Sequence, residues 1–344
     1  MTTPGRQPAA DTRVARVGGG TVEAYVHPPP ASRMVAGAAR RAGPLDLDAC
    51  YDLCRRVHAA HGRTYYLATR LLPPARRAHV HALYGFARYA DDLVDHAALA
   101  WTPAQRREAL EAWSAELVQA LEGEARSAPR DPVLRAAAHT ITTLGIESGD
   151  VRAFLGSMAM DLTVTRYPTF DDLHGYVAGS GAAIGAMMLP VLGCHDPRAR
   201  PPARSLGIAF QLTNFLRDVA EDWDRGRLYV PLADLEAFGV TEWDFHARHV
   251  GPRMRRLLAF QAARAQRYYR HAEQGLRLLP PASRRCVRVA DRLYRAILCE
   301  IADGDYQVFQ RRAALSRRRR LALTVGALAG GLRQWPSGAA TAPG

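Results

Sequence analysis

The 344-residue chain contains no lysine, so arginine supplies all 46 of its basic side chains. Against 33 acidic residues, this gives a formal net charge of +13. A basic surface suits anionic partners such as nucleic acids, acidic lipid headgroups and phosphorylated substrates. It does not choose among them, and a genome that prefers arginine to lysine explains many surface arginines equally well. Charge alone therefore assigns no function.

Cysteine is also scarce, with five residues and no CxxC pair. Cys50 and Cys54 could share a helix face, but no second Cys/His pair completes a zinc site, and an odd count does not suit a disulfide framework. We expect reduced thiols in a cytoplasmic protein. No secretory leader pattern follows Met1, and no apolar run is long enough to span a bilayer. These absences predict a soluble or peripheral protein.

Strand signals are rare, and no Asn-Gly or Asp-Gly hairpin turn lies between apolar runs. The sequence instead predicts helices broken by proline and glycine, forming one all-α domain over residues 45–315. Residues 1–44 are interpreted as a disordered N-terminal extension, and 316–344 as an Arg-rich C-terminal tail. The start of the tail is interpreted as a solvated helix end, with membrane-surface contact as the alternative.

The segment LYGFARYADDLVDH carries three aspartates among apolar residues. If residues 78–98 form a helix, four of its polar side chains share one narrow stripe. They are Tyr84, Arg88, Asp91 and Asp95. Because a surface helix would give polar residues the wider face, we expect this stripe to face an internal cavity. Arg88 could offset one buried carboxylate, and Mg²⁺ could balance both; a salt-bridged helix end is the alternative.

A second segment, LGIAFQLTNFLRDVAEDWDRGR, repeats this arrangement. Asn214, Asp218 and Asp222 follow i, i+4, i+8 spacing, which places oxygen ligands on successive helical turns. Gln211 lies on the same side, and Arg217 lies on the other. If the two acidic stripes face each other, they could hold several Mg²⁺ ions around a diphosphate whose oxygens bind arginine. Such a site would favour ionisation of an allylic diphosphate in a water-excluding cavity.

The stretch VAGSGAAIGAMM places Gly179, Gly181 and Gly185 in a predicted helix. Glycine inside a helix is costly, so these residues predict a kink or a close approach between backbones. Ordinary helix–helix packing explains them equally well.

From about residue 55 to about residue 315, the chain resembles the squalene/phytoene synthase family, and its bacterial phytoene-forming members most. Four blocks carry the resemblance, namely HGRTYYLATRLLPPARRAHVHALYGFARYADDLVD, MAMDLTVTRYPTFDDLHGYVAGSGAAIGAMM, LGIAFQLTNFLRDVAEDWDRGRLYVPLADL and ADRLYRAILCEI. The resemblance implies the isoprenoid synthase (class I terpenoid synthase) fold, a single-domain helical bundle around a central cavity.

Matched by position, the resemblance also implies a set of site residues. The implied metal ligands are Asp91, Asp92, Asp95, Asn214, Asp218 and Asp222. The implied catalytic residues are Tyr84, Arg88, Arg217 and Tyr176, the last matching a tyrosine implicated in the rearrangement. The implied substrate-binding residues are His61, Arg63, Thr64, Gln211, Tyr294 and Arg311. The second position of the first motif is often Glu in relatives and is Asp92 here.

The implied activity is head-to-head (1′-1) condensation of two geranylgeranyl diphosphates to phytoene in carotenoid biosynthesis, through the cyclopropyl compound prephytoene diphosphate. The implied cofactor is Mg²⁺, with Mn²⁺ as an alternative ion and no NADPH. Because the substrate and product are hydrophobic, we expect peripheral contact with a membrane. We expect no nucleic-acid partner. The alternatives are a C15-using squalene, dehydrosqualene or hydroxysqualene synthase, and a non-catalytic relative acting as a membrane-associated assembly factor. The oligomeric state stays open.

Overall fold

The computed structural model of this chain describes residues 46–95, 101–123 and 128–328. Within these ranges the regular secondary structure is helical and no β-strand occurs, which confirms the all-α prediction. The predicted N-terminal extension and the last part of the tail, residues 329–344, lie outside the described residues. None of the described helices combines the length and the apolar character needed to cross a bilayer.

The helices follow one another with short connections. In chain order they are α1 (Leu47–His61), α2 (Arg63–Thr69), α3 (Pro74–Asp95), α4 (Pro103–Leu121), α5 (Pro132–Leu144), α6 (Ser148–Met160), α7 (Phe170–Val177), α8 (Ile184–Val191), α9 (Arg200–Arg217), α10 (Val219–Asp224), α11 (Leu232–Phe238), α12 (Glu242–His246), α13 (Pro252–Glu273), α14 (Pro281–Asp303) and α15 (Arg317–Leu328). A π-helical segment, Ala178–Ala183, joins α7 to α8, and 3₁₀ turns lie at Pro197–Ala199 and Leu276–Leu278.

Proline and glycine set several helix boundaries, as the sequence predicts. Pro74, Pro132 and Pro281 are the first residues of α3, α5 and α14, where the missing N–H group leaves no helical hydrogen bond unmade. The Asp131 side chain caps α5 by accepting from two backbone N–H groups of its first turn. Gly239 ends α11 with a left-handed φ of 63°, a conformation that glycine adopts without steric cost.

Two apolar clusters form the core. In the first, Phe86 of α3 stacks on Trp113 of α4 with ring centroids 5.4 Å apart. In the second, residues of α9, α13 and α14 pack together around Tyr269. Phe210 of α9 contacts both clusters. Side chains of both clusters line a cavity between them, so the packing of the core also shapes that cavity.

The π-helical segment and α9 approach each other backbone to backbone. A Cβ atom on Gly181 would lie 2.8 Å from the carbonyl oxygen of Gly207, and one on Gly207 would lie 2.1 Å from that of Gly181. A Cβ atom on Gly185 would likewise meet a backbone oxygen of α9 at 2.1 Å. The close approach predicted from these glycines is confirmed. Because Ser180 and Gln211 line the cavity nearby, this contact fixes the spacing between two of its walls.

The second acidic helix is interrupted at its central aspartate. Asp218 has φ −106° and ψ 14°, so α9 ends at Arg217 and α10 begins at Val219. The N–H groups of Asp218 and Asp222 still donate to the carbonyl oxygens of Asn214 and Asp218 at 2.8 Å. An unbroken helix over this segment is therefore wrong, but the i, i+4 hydrogen bonds keep the three polar residues in register.

The described part of the C-terminal tail forms a helix that packs on the domain. Helix α15 buries Thr324 and Ala327 and contacts α14. An adjacent face of the helix leaves Leu321, Val325 and Leu328 exposed at 64%, 58% and 43%. The tail helix is thus partly docked rather than fully solvated, and the domain boundary near residue 316 stays a prediction.

Candidate active site

A cavity of about 1060 Å³ lies among α2, α3, α6, α9 and α14. Its lining combines a charged set of aspartates and arginines with an apolar set. The apolar and aromatic members include Phe154, Met158, Tyr176, Ile184, Phe215 and Tyr229. A chamber of this size and lining can hold a large ligand that has both charged and apolar parts.

All but one of the site residues expected from the sequence line this cavity. They are His61, Arg63, Thr64, Tyr84, Arg88, Asp91, Asp92, Asp95, Tyr176, Gln211, Asn214, Arg217, Asp218, Asp222 and Tyr294. The exception is Arg311, which lines a smaller adjoining cavity, while its neighbour Arg312 lines the main one. Arg217 borders both cavities. The structure therefore places Arg312, rather than Arg311, in the lining of the main cavity. The sequence alone does not show which of two adjacent arginines faces a cavity.

Arg88 organises the first acidic motif. Its Nη2 donates to Asp92 Oδ1 at 2.5 Å, and its Nη1 lies 3.3 Å from Asp91 Oδ2. Only 3% of the Asp92 side chain is exposed, against 46% for Asp91. Asp92 is therefore a nearly buried part of the cavity lining that holds Arg88, whereas Asp91 and Asp95 have carboxylate oxygens that a bound ligand can reach.

The two acidic motifs face each other at short range. Arg225 Nη1 lies 3.8 Å from Asp95 Oδ2 and also 3.8 Å from Asp222 Oδ1. The two carboxylates can be no further apart than twice that distance. Arg227 Nη1 donates to the other oxygen of Asp95 at 2.5 Å. One diphosphate group can therefore bridge the motifs, as the sequence predicts.

Arginines also surround the second motif. Asp218 accepts hydrogen bonds from Arg217 Nε at 2.7 Å, from Arg217 Nη2 at 2.5 Å and from Arg312 Nε at 2.7 Å. Burial disfavours the charge of Asp218, but these hydrogen bonds outweigh it and lower its pKa. Among the described residues, Asn214 Oδ1 is buried without a hydrogen-bond partner. A cation bound in the cavity would supply this oxygen with a partner.

Burial and repulsion between neighbouring carboxylates raise the pKa of two other aspartates of the site. Burial, followed by the charge of Asp218, raises the pKa of Asp222 to about 8. Loss of hydration within the cavity, followed by the charge of Asp95, raises the pKa of Asp91 above its ordinary value. A divalent cation between the motifs would relieve both effects.

The donor set fits magnesium that arrives with a diphosphate. All the expected ligands are oxygen atoms, which hard cations prefer. Within the described ranges, no three acidic, histidine or cysteine side chains are gathered into a ready-made metal site. Magnesium does not need one, because it usually binds one or two carboxylates and completes its shell with phosphate oxygens and water.

Sequence reasoning missed several residues of the cavity. Arg225, Arg227 and Tyr229 follow the second motif directly, in DRGRLYVP, where the sequence indicates only the end of a helix. Asp161, in MAMDL, lies just past α6. Its carboxylate accepts hydrogen bonds from Tyr176 and Tyr229, and burial raises its pKa to about 6. A lone aspartate after an apolar helix was the only signal available.

Residues 58–319 match the sequence profile described as squalene/phytoene synthase. The chain belongs to this family. A phytoene synthase of Arthrospira platensis is 38% identical over 276 residues, which cover 76% of this chain and 87% of that protein. A 15-cis-phytoene synthase of Synechocystis sp. is 36% identical over 287 residues, which cover 80% of this chain and 83% of that protein.

Solved structures of the family show the same architecture. A dehydrosqualene synthase in complex with ligand aligns with a TM-score of 0.75 at 26% identity, covering 82% of this chain and 96% of that one. A squalene synthase from Alicyclobacillus acidocaldarius aligns with a TM-score of 0.68 at 30% identity, covering 78% and 98%. The predicted all-α isoprenoid synthase fold is confirmed, and the family places the chain among prenyltransferase-type enzymes.

Proposed function

We propose that the protein is a phytoene synthase that joins two geranylgeranyl diphosphates head to head in carotenoid biosynthesis. The observation that carries the proposal is the pair of oxygen-donor motifs, bridged by Arg225 and facing one large, partly aromatic cavity. The identities of 38% and 36% to proteins named phytoene synthase support the C20 substrate.

The charged side of the cavity binds the diphosphate. Arg88 and Arg217 contact phosphate oxygens, and Asp92 keeps Arg88 in place. Asp91, Asp95, Asn214, Asp218 and Asp222 would hold Mg²⁺, or Mn²⁺ in its stead, and the bound ion would neutralise charge that develops on the leaving group. The substrate-binding wall is completed by His61, Arg63, Thr64, Tyr84, Gln211 and Tyr294.

The apolar side of the cavity guides the carbon chemistry. Loss of diphosphate from one substrate leaves an allylic cation, which alkylates a double bond of the second substrate. Proton loss then closes a cyclopropane and gives prephytoene diphosphate. A second ionisation opens that ring, and a second proton loss yields phytoene without a reductant. Tyr176, Phe215 and Tyr229 form a stack of aromatic rings in the cavity lining, which would stabilise a nearby cation and keep water out.

The decisive test is product analysis. Purified protein is incubated with C15 or C20 diphosphate and Mg²⁺, with and without NADPH, and the hydrocarbon is identified. We expect phytoene from the C20 substrate in both conditions. The likeness to structures named dehydrosqualene and squalene synthase favours a second candidate, a C15-using synthase. A C30 product with no C40 product would support that candidate instead.

The ligand assignment has its own test. Asp91→Ala and Asp218→Ala should each abolish turnover, because each removes an oxygen donor from one motif, while the helical circular-dichroism signal is retained. Near-normal rates of either variant with Mg²⁺ would show that the assignment is wrong.

Helix α15 is the surface we propose for peripheral contact with the cytoplasmic face of a membrane. Exposed Leu321, Val325 and Leu328 lie beside exposed arginines at the start of the helix, and Arg320 lines the cavity. Such a basic, apolar face suits anionic lipid. Leu321→Gln with Val325→Gln should weaken co-sedimentation with phosphatidylglycerol vesicles, whereas Ala322→Gln, also exposed, should not. Equal binding by both variants would contradict this contact.

A further inference from the structure

Asp161, Tyr176 and Tyr229 form a hydrogen-bonded group on the cavity wall, here called the Asp161 cluster. The Tyr176 hydroxyl donates to Asp161 Oδ2 at 2.7 Å, and the Tyr229 hydroxyl donates to Asp161 Oδ1 at 2.9 Å. Each carboxylate oxygen thus holds one phenol. Because both hydroxyl hydrogens point at Asp161, both phenol oxygens keep lone pairs for a ligand, and all three residues line the cavity.

Asp161 occupies an unfavourable place for an acid. It directly follows α6, where the negative end of the helix dipole repels a carboxylate, and only 8% of it is exposed. Arg227 donates to its backbone carbonyl oxygen at 3.1 Å, and the charge of Arg227 offsets part of the cost of burying the carboxylate. Burial still raises the pKa of Asp161 to about 6, so the carboxylate carries a net cost that a neutral acceptor of two hydroxyls would avoid.

Tyr176 cannot act as a base by itself. Burial, followed by the charge of Asp161, raises the pKa of Tyr176 well above its ordinary value, so its phenol stays protonated. A protonated phenol accepts a second proton only if it releases its own at the same time. Asp161, 2.7 Å from that hydroxyl, is in position to receive it.

We propose that Asp161 is a positioning residue that turns Tyr176 into a proton acceptor of the condensation, an inference that rests on the proposed function. A C–H bond beside the carbocation breaks, and its electron pair forms the new carbon–carbon bond. The proton moves to the Tyr176 oxygen as the Tyr176 proton moves to Asp161 Oδ2. The cation becomes neutral, and Asp161 becomes a carboxylic acid that later returns its proton to water or diphosphate.

The test compares Asp161→Asn, Tyr176→Phe, the double variant and Tyr229→Phe in single turnovers with Mg²⁺. The substrate is whichever of the C20 and C15 diphosphates the wild type consumes. Tyr229→Phe is the matched control, because it removes the other phenol from the same carboxylate. We expect Asp161→Asn and Tyr176→Phe each to slow turnover on the order of 100-fold, and Tyr229→Phe by less than about tenfold. Since the pair acts as one unit, the double variant should be no more than about threefold slower than either single variant.

A binding measurement separates this role from a structural one. The affinity for a non-ionising thiodiphosphate analogue of the substrate with Mg²⁺ should stay within about threefold of wild type in Asp161→Asn, because the residue acts on proton transfer and not on the diphosphate. A parallel loss of analogue affinity would reduce Asp161 to a structural residue and overturn the inference.

Three further results would also overturn it. They are an Asp161→Asn rate within about threefold of wild type, losses that multiply in the double variant, and equal losses in the two tyrosine variants. If Asp161→Asn does not fold, the comparison of Tyr176→Phe with Tyr229→Phe decides. If the wild type uses only C15 diphosphate, the C20 assignment is wrong but this comparison still tests the role of Asp161. If the wild type is inactive with both substrates, the proposed function and the role of Asp161 are both wrong.

Discussion

The contact between Gly207 and Gly181 allows a quantitative prediction for Gly207→Ala. The new Cβ atom would lie 2.1 Å from the carbonyl oxygen of Gly181 and 2.7 Å from its carbonyl carbon. These are backbone atoms, so no side-chain rotation relieves the clash and the two helical segments must move apart. Overpacking of this kind costs about 1–3 kcal/mol, and a contact with backbone atoms this short puts the cost near the upper end; replacing a mid-helix glycine by alanine gains roughly 1 kcal/mol. We expect a net loss of about 2 kcal/mol in the free energy of unfolding.

The matched control is Gly156→Ala in α6. Gly156 is exposed within its helix, and a Cβ atom there would meet nothing within 4 Å. Only the gain in helix propensity applies, so this variant should be stabilised by about 0.5–1 kcal/mol. Thermal unfolding followed by circular dichroism should show a Tm lowered by about 4–8 °C for Gly207→Ala and raised by about 1–4 °C for Gly156→Ala.

The two variants are expected to change the free energy of unfolding in opposite directions, so their melting temperatures can be compared directly. If Gly207→Ala melts at or above the temperature of Gly156→Ala, the π-helical segment and α9 are further apart than the structure shows. The wall spacing derived from that contact would then be wrong as well.

Two more predictions concern charge. Arg312→Ala should lower kcat/KM by about tenfold or more, because Arg312 lines the cavity and binds Asp218. Arg311→Ala should lower kcat/KM much less. Equal losses in the two variants would contradict this placement of Arg312. Burial lowers the pKa of His58 to about 3 and that of His81 to about 4, whereas both have a pKa of about 6.5 in the unfolded chain. The unfolded chain therefore takes up protons first as the pH falls below about 6.5. The contribution of the two neutral histidines to fold stability is complete above about pH 6.5 and is lost as the pH falls towards their folded-state pKa values. Their ring NMR signals should therefore not move between about pH 8 and 5, and a midpoint near 6.5 would refute the burial argument.

Local features of the sequence predicted most of the fold and the charged side of the site. The i, i+4 spacing of Asp91 and Asp95 is visible within one helix, and Pro74, Pro132 and Pro281 mark the starts of three helices. The break at Asp218 was missed because a helical wheel assumes regular geometry. The same wheel does not reveal that Arg312, 94 residues further along the chain, binds this carboxylate.

Some contacts of the site were harder to predict because their partners are distant in sequence. Asp161 and Tyr229 are separated by 68 residues, and Arg227 reaches Asp95 across 132. Each belongs to a segment that is unremarkable by composition. These residues lie close together only because α3, α6 and α10 pack around one cavity.

The docking of α15 bears on how the chain can be shortened. A version ending at residue 316 would look reasonable from the sequence, since it stops before four consecutive arginines. It would also remove Arg320 from the cavity lining and uncover the part of α14 that Thr324 and Ala327 shield. Any trimmed form meant for assay or crystallisation should therefore keep its C-terminus at or beyond Leu328.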